Sequence, residues 1–148
     1  MIVLLLIMLV VFLAIIVGGV IAYMKYDEVH SYEYQYAQGL SYYSEEQYGS
    51  AIQCFTEALK YNTEDIDARL IAADCYEVLG EYDRMVEMLL EVVNLSGQAS
   101  YYEQLMEACE LAGNTSLMNR ILKETQGTAV GEALSDYRTG ELIASIPG

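Results

Sequence analysis

The sequence predicts an all-α protein: an N-terminal transmembrane helix followed by a short α-solenoid of about three helix pairs. Three observations lead there. The chain of 148 residues carries 22 acidic and 7 basic side chains, a formal net charge of −15, yet no charged side chain falls within Met1–Met24. Beyond that run, apolar, small and aromatic residues recur at an interval of 34 residues. One proline and 14 tyrosines in a chain that is 54% hydrophobic describe an ordered, helical, aromatic domain, not a disordered one. The acid excess also excludes classes of partner. Nucleic-acid binding needs a basic face to displace counterions, and adhesion to anionic headgroups needs the same.

The first element is Ile2–Met24, reading IVLLLIMLVVFLAIIVGGVIAYM. A spanning helix needs about 20 apolar residues, each adding about 1.5 Å across a hydrocarbon core of about 30 Å. Gly18 and Gly19 are tolerated because lipid offers the backbone no competing partner. Tyr23 and Tyr26 stand where an interfacial aromatic belt would, beside Lys25, the first charge. An anchor is favoured over a cleaved signal peptide, which carries a basic leader and an apolar stretch of about 7–15 residues, although Val20-Ile-Ala22 is a weak cleavage site. A buried core helix would show a polar stripe, and there is none. An anchor without a basic flank fits either a longer natural N-terminus or an end held inside by default. The expected topology is single-pass, with the acidic domain on the extracytoplasmic side. Residues 25–31 are read as a juxtamembrane linker.

Residues 32–126 hold the repeats. A shift of 34 places Ala73 on Gly39, Tyr76 on Tyr42, Tyr82 on Tyr48, Val86 on Ile52, Leu89 on Phe55 and Val93 on Leu59. A third, weaker copy starts at Leu111-Ala-Gly113-Asn, 33 residues after Val78-Leu-Gly80-Glu. Ala51, Phe55, Ala58 and Leu59 lie at i, i+4, i+7 and i+8, one face of a helix; Val86, Leu89, Leu90 and Val93 follow the same logic. Breaks are predicted at Ser44-Glu-Glu46, Asn62–Asp65, Gly80-Glu81 and Ser96-Gly-Gln98. Asp65 or Thr63 is expected to cap the third helix, and Ser100-x-x-Glu103 to form a capping box on the fifth. Residues 127–148 fall outside the repeat. They are read as a capping helix at Glu132–Tyr137 or a linker, with Glu141–Gly148 a strand or linker leading to a further C-terminal domain.

Gly39-x-x-Tyr42, Ala51-x-x-x-Phe55, Ala58-Leu59, Tyr76, Gly80 and Tyr82 together resemble the tetratricopeptide repeat, and the resemblance runs from about Tyr32 to Thr125. Departures are Gln35 where the family often has Trp, Gln38 where it has Leu, Thr63 for the frequent Pro and Met85 for a small residue. The resemblance implies helix pairs whose small residues permit close approach while large ones fill the gaps. The packing set is then Gly39, Tyr42, Tyr48, Ala51, Phe55, Ala58, Ala73, Tyr76, Gly80, Tyr82, Leu89 and Gly113. It also implies a concave face built from the first helix of each pair. Carried onto this chain, that face holds Tyr36, Leu40 and Tyr43, then Leu70, Asp74 and Glu77, then Glu103, Glu107 and Glu110. Family members that grip a C-terminal carboxylate use Lys, Arg and Asn there; this surface is acidic, with only Arg69 on a flank, so carboxylate capture is rejected.

No catalytic constellation is readable. His30 is the one histidine and is read as a surface or linker residue. There is no G-x-x-x-x-G-K loop and no H-E-x-x-H. Cys54, Cys75 and Cys109 are too far apart in sequence for a metal knuckle or a redox pair and are assigned to the core, a Cys54–Cys75 bridge staying open. Glu45-Glu46 and Glu64-Asp65-x-Asp67 lack the glycine and distal glutamate of a calcium loop and are read as solvated caps. Asn94 and Asn114 begin glycosylation sequons in form only. The expectation is therefore a non-enzymatic membrane protein without metal, cofactor or small-molecule substrate, whose stack binds a basic or aromatic protein or peptide partner or scaffolds a complex. The alternative is a stalk carrying a functional domain beyond Gly148.

Overall fold

A computed structural model describes residues 1–137, the side chains of residues 28–30 excepted. The His30 side chain and the segment 141–148 lie outside the described residues. The described chain is all helical: α1 (Ile2–Ser44), α2 (Tyr48–Tyr61), α3 (Ile66–Val78), α4 (Tyr82–Ser96), α5 (Ala99–Leu111), α6 (Thr115–Glu124) and the short α7 (Ala129–Ala133). Each of α1 to α6 packs on its neighbours in order, and α7 returns to α5. The result is a helical repeat stack of three pairs, with the far half of α1 serving as the first helix of the first pair.

The two helices of each pair are joined by one turn used three times. At the end of α1 the Glu46 amide donates to the Tyr43 carbonyl and the Gln47 amide to that of Tyr42. Gly80 and Glu81 do the same to Glu77 and Tyr76, and Gly113 and Asn114 to Glu110 and Cys109. This is the Schellman closure, which satisfies the last carbonyls of a helix and needs a left-handed residue at its corner. The corners have φ of 59° at Glu46, 72° at Gly80 and 67° at Gly113. The residue after each corner is also the N-cap of the next helix, so one short turn ends one helix and starts the next.

Capping differs in detail. Asp65 caps α3, its carboxylate accepting from the Ala68 amide at 3.0 Å. The expected box at Ser100 does not form: Gln98 is the N-cap of α5 and no side chain caps it. The helix starts one residue ahead of Ser100, so that hydroxyl falls inside the first turn, out of reach of the amides it would cap.

Packing follows small-to-large complementarity. Gly39 is buried, and a Cβ there would sit 2.9 Å from Phe55 Cε1, so the ring occupies the space that the glycine leaves. Tyr36 meets the same ring edge-on at 5.6 Å between centroids. Fully burying a side chain of this size contributes about 1.5–3 kcal/mol. One repeat later Ala73 and Leu89 hold the corresponding positions, both buried: a slightly larger small residue faces a slightly smaller large one. Neighbouring residues on α3 serve different cores, Ala72 joining Phe55, Ala51 and Cys75, and Ala73 joining Leu89, Leu105 and Met106. Met85 is buried as well. Cys75 and Cys109 are buried, Cys54 half-buried, and all three are free thiols.

The near half of α1 differs. No side chain of its apolar window is buried in the chain, and Leu4, Phe12 and Ile21 are each at least 60% exposed. By length and composition α1 is long and apolar enough to cross a membrane. Residues 25–31 are helical, and α1 runs through them without a break.

Candidate functional site

The first helices of the pairs, α1, α3 and α5, carry the nine residues that the sequence assigns to the concave face. Helical spacing brings Leu70, Asp74 and Glu77 to one side of α3, and Gln104 and Glu107 to the facing side of α5. They line a cavity of about 390 Å³, whose other lining residues are Ile71, Ala73, Met85 and Leu89. Its floor is apolar and its rim acidic: Asp74, Glu77 and Glu107 are exposed, Leu70 half-buried, Met85 and Leu89 buried.

The nine residues assigned to this face do not behave alike. Leu70, Asp74, Glu77 and Glu107 come together at the cavity. Tyr43 joins them from α1, its hydroxyl donating to Asp74 Oδ2 at 2.7 Å. That bond, with burial and the Asp74 charge behind it, pushes the Tyr43 phenol up to about 12. Tyr36 instead turns toward Phe55 and is half-buried. Leu40, between the two tyrosines, is 41% exposed. Glu103 and Glu110 lie outside the cavity lining. Together with Glu107 they face Tyr137, whose phenol is raised first by burial and then by the charges of Glu110, Glu107 and Glu103.

One feature of this geometry has no counterpart in the sequence reading. Tyrosine–carboxylate pairs tie α1 to α3: Tyr32 donates to Asp65 as Tyr43 does to Asp74. Burial and the Asp65 bond hold the Tyr32 phenol well above its ordinary range. After α6 the chain returns over α5, in the region where a capping helix was expected at Glu132–Tyr137. Leu134 is fully buried in the second core, and Tyr137 packs against it. The cap therefore begins at Ala129, three residues ahead of Glu132, and it covers part of the third pair's own face. Met85, a large residue where the family has a small one, also lines the cavity.

Charge is segregated across the stack. Of the basic residues on α3 and α5 there is only Arg69, which is buried and donates through Nη1 to the Asp65 carbonyl at 3.2 Å. Lys60 and Arg84 pair with Glu57 and Glu87 on the second helices, α2 and α4. Among the described residues no group of three or more His, Cys, Asp or Glu is arranged to hold a metal ion.

No curated protein matches the chain. The family model described as anaphase-promoting complex, cyclosome, subunit 3 matches residues 19–92, which runs from inside the apolar half of α1 into α4, the second helix of the second pair. That is half of the sequence, and the chain belongs to this family of tetratricopeptide-type repeats.

Proposed function

We propose that the protein is a non-enzymatic, single-span membrane protein whose stack binds a protein or peptide partner, or scaffolds a complex, at the membrane surface. The observation that carries the binding reading is the cavity between α3 and α5, which joins an apolar floor to a rim of Asp74, Glu77 and Glu107. Tetratricopeptide-type stacks are typically non-catalytic binding modules. The anchor reading is supported by the apolar half of α1, in which no side chain of the apolar window is buried. Leaving that surface in water would cost on the order of 25 cal/mol per Å². A core helix would have buried it. Continuation of α1 through residues 20–31 as helix favours an anchor over a cleaved leader. The flank on the stack side holds one basic residue, Lys25, before Ser44; cytoplasmic flanks are rich in Lys and Arg, so the stack is assigned to the extracytoplasmic side.

The test has two arms. Membranes bearing the full chain are extracted with carbonate and treated with protease from outside; retention in the pellet with digestion of the stack supports the reading, and release into the supernatant overturns the anchor. In the second arm a photo-crosslinking residue is placed at Leu40 or at exposed Glu87 on α4. Adducts from Leu40 and not from Glu87 support partner binding by the concave face. Equal yields, or none from Leu40, overturn it.

A further inference from the structure

The cavity between α3 and α5 combines two walls that few occupants satisfy together. Leu70 offers half-buried aliphatic surface backed by the nearly buried Met85 and Leu89, and Asp74, Glu77 and Glu107 line the same cavity from both helices with the same sign of charge. Like charges facing one another across a gap raise its potential for a cation. No lysine or arginine is among the lining residues, and Arg69 on the same helix is spent on the Asp65 carbonyl. Asp74 is held in place by Tyr43, so the rim is partly preorganised. A neutral aliphatic side chain would satisfy the aliphatic surface and leave the acids facing one another. A small metal ion would satisfy the acids and leave the aliphatic surface wet. A side chain with a long aliphatic stem and a charged head fits both, since Lys and Arg bury their stems and keep the head at the polar rim.

Resting on the partner-binding reading above, we infer that this cavity is a subsite for a single Lys or Arg side chain of a protein partner, its stem lying on Leu70, backed by Met85 and Leu89, and its cation between Glu77 and Glu107. The face is thereby assigned a partner segment with one basic residue at the centre.

The probes are N-acetyl-arginine amide and its uncharged analogue N-acetyl-norleucine amide, titrated against the full chain in mild detergent while the methyl resonances of Met85 and Leu89 are followed by NMR. The arginine probe is expected to give saturable shifts at both methyls. Norleucine should bind at least about fivefold more weakly, and added salt should erode the difference, because screening shortens to about 3 Å at 1 M. The Glu77→Gln/Glu107→Gln variant should lose about fivefold or more of the arginine affinity. Both positions are exposed, and an unchanged melting curve confirms that the stack is intact. Equal binding of the two probes, or no saturable shift with arginine, overturns the subsite. If crosslinking from Leu40 still captures a partner in that case, the binding face stands and only the subsite falls.

Discussion

The first and third helix pairs close with the same turn but cross differently. In the first, Gly39 brings α1 so near α2 that the Phe55 ring fills the contact. In the third, the residue in register with Gly39 and Ala73 is Met106, fully buried. Here a long side chain stands where the first pair has none, and in this part of the stack lies a second cavity of about 300 Å³, lined by Leu90, Leu105, Leu117 and Ile121 among others. The chain then adds α7 and Leu134, which cover the end of the stack. The contrast teaches that the turn sets the repeat while the crossing residue sets its tightness. Where the crossing is loose, a terminal cap is needed to finish the core.

The largest expected effect tests the tight pair. Phe55→Ala should cost about 3–5 kcal/mol, against about 2 kcal/mol for Ile121→Ala, whose surroundings are already partly open. Denaturant unfolding of the two variants measures the difference, and equal losses would erase the distinction between the pairs. Next comes the crossing itself. Gly39→Ala alone drives a methyl into the Phe55 ring and should cost about 1–3 kcal/mol. Combined with Phe55→Leu it reproduces the Ala73–Leu89 arrangement of the second pair, so the double variant should lose less than the sum of the singles by at least about 0.5 kcal/mol. Strict additivity would show that the two positions do not share one space.

A third prediction separates the α1–α3 contact from the rest by pH. The Tyr43 phenol lies at about 12 in the folded chain, against an ordinary 10.0, because its bond to Asp74 favours the neutral form. A pKa raised by folding means stability that is complete below pH 10 and lost as pH climbs through 12. Tyr43→Phe should flatten the alkaline fall of the melting temperature in that window and leave neutral pH nearly unaffected. Other phenols and the buried Cys75 and Cys109 thiols, both pushed up to about 11 by burial, keep part of the slope. An unaltered slope would mean that the bond does not form in solution. The smallest effect concerns the turn. Glu46 is the one non-glycine residue at positive φ among those described, a conformation that costs an L-residue roughly 1–2 kcal/mol. Glu46→Gly should therefore stabilise by about 0.5–1 kcal/mol, after the entropy that glycine loses on folding, read as a higher unfolding midpoint.

Much of this architecture was legible because it depends on local chemistry. Gly80 and Gly113 mark their corners by residue type, and the 34-residue recurrence sets Gly39 and Phe55 in a shared register. Glu46 shows the limit, since only its register betrays a left-handed corner. The near half of α1 was legible as a separate element, but the expected linker at 25–31 rested on the arrival of charge at Lys25 and Asp27. Charge ends an apolar run without ending a helix: no glycine or proline stands between Val20 and Gln38, so nothing in the backbone interrupts the helix there. Of the site, the exposure and placement of Asp74, Glu77 and Glu107 follow from helical spacing. The Tyr43–Asp74 bond spans 31 residues and depends on how α1 and α3 are set side by side, and the approach of Tyr137 to Glu103, Glu107 and Glu110 depends on a chain reversal after α6. No periodicity encodes either.

The unbroken course of α1 has a mechanical meaning if Ile2–Met24 lies in a bilayer. A helix advances about 1.5 Å and turns about 100° per residue, so the rod from Met24 to Tyr43 sets the groove about 28 Å beyond the apolar run, at one compass bearing around the rod's axis. The groove is then aimed as well as raised. One alanine inserted near Asp27 would lift the cavity by only about 1.5 Å yet swing it by about 100°, presenting its acidic mouth to a different neighbour in the membrane plane. Seven inserted residues would raise it about 10 Å and return it almost to its original heading. A soluble partner would accept every one of these versions equally, whereas a partner fixed in the same membrane would accept the last bearing and refuse the first.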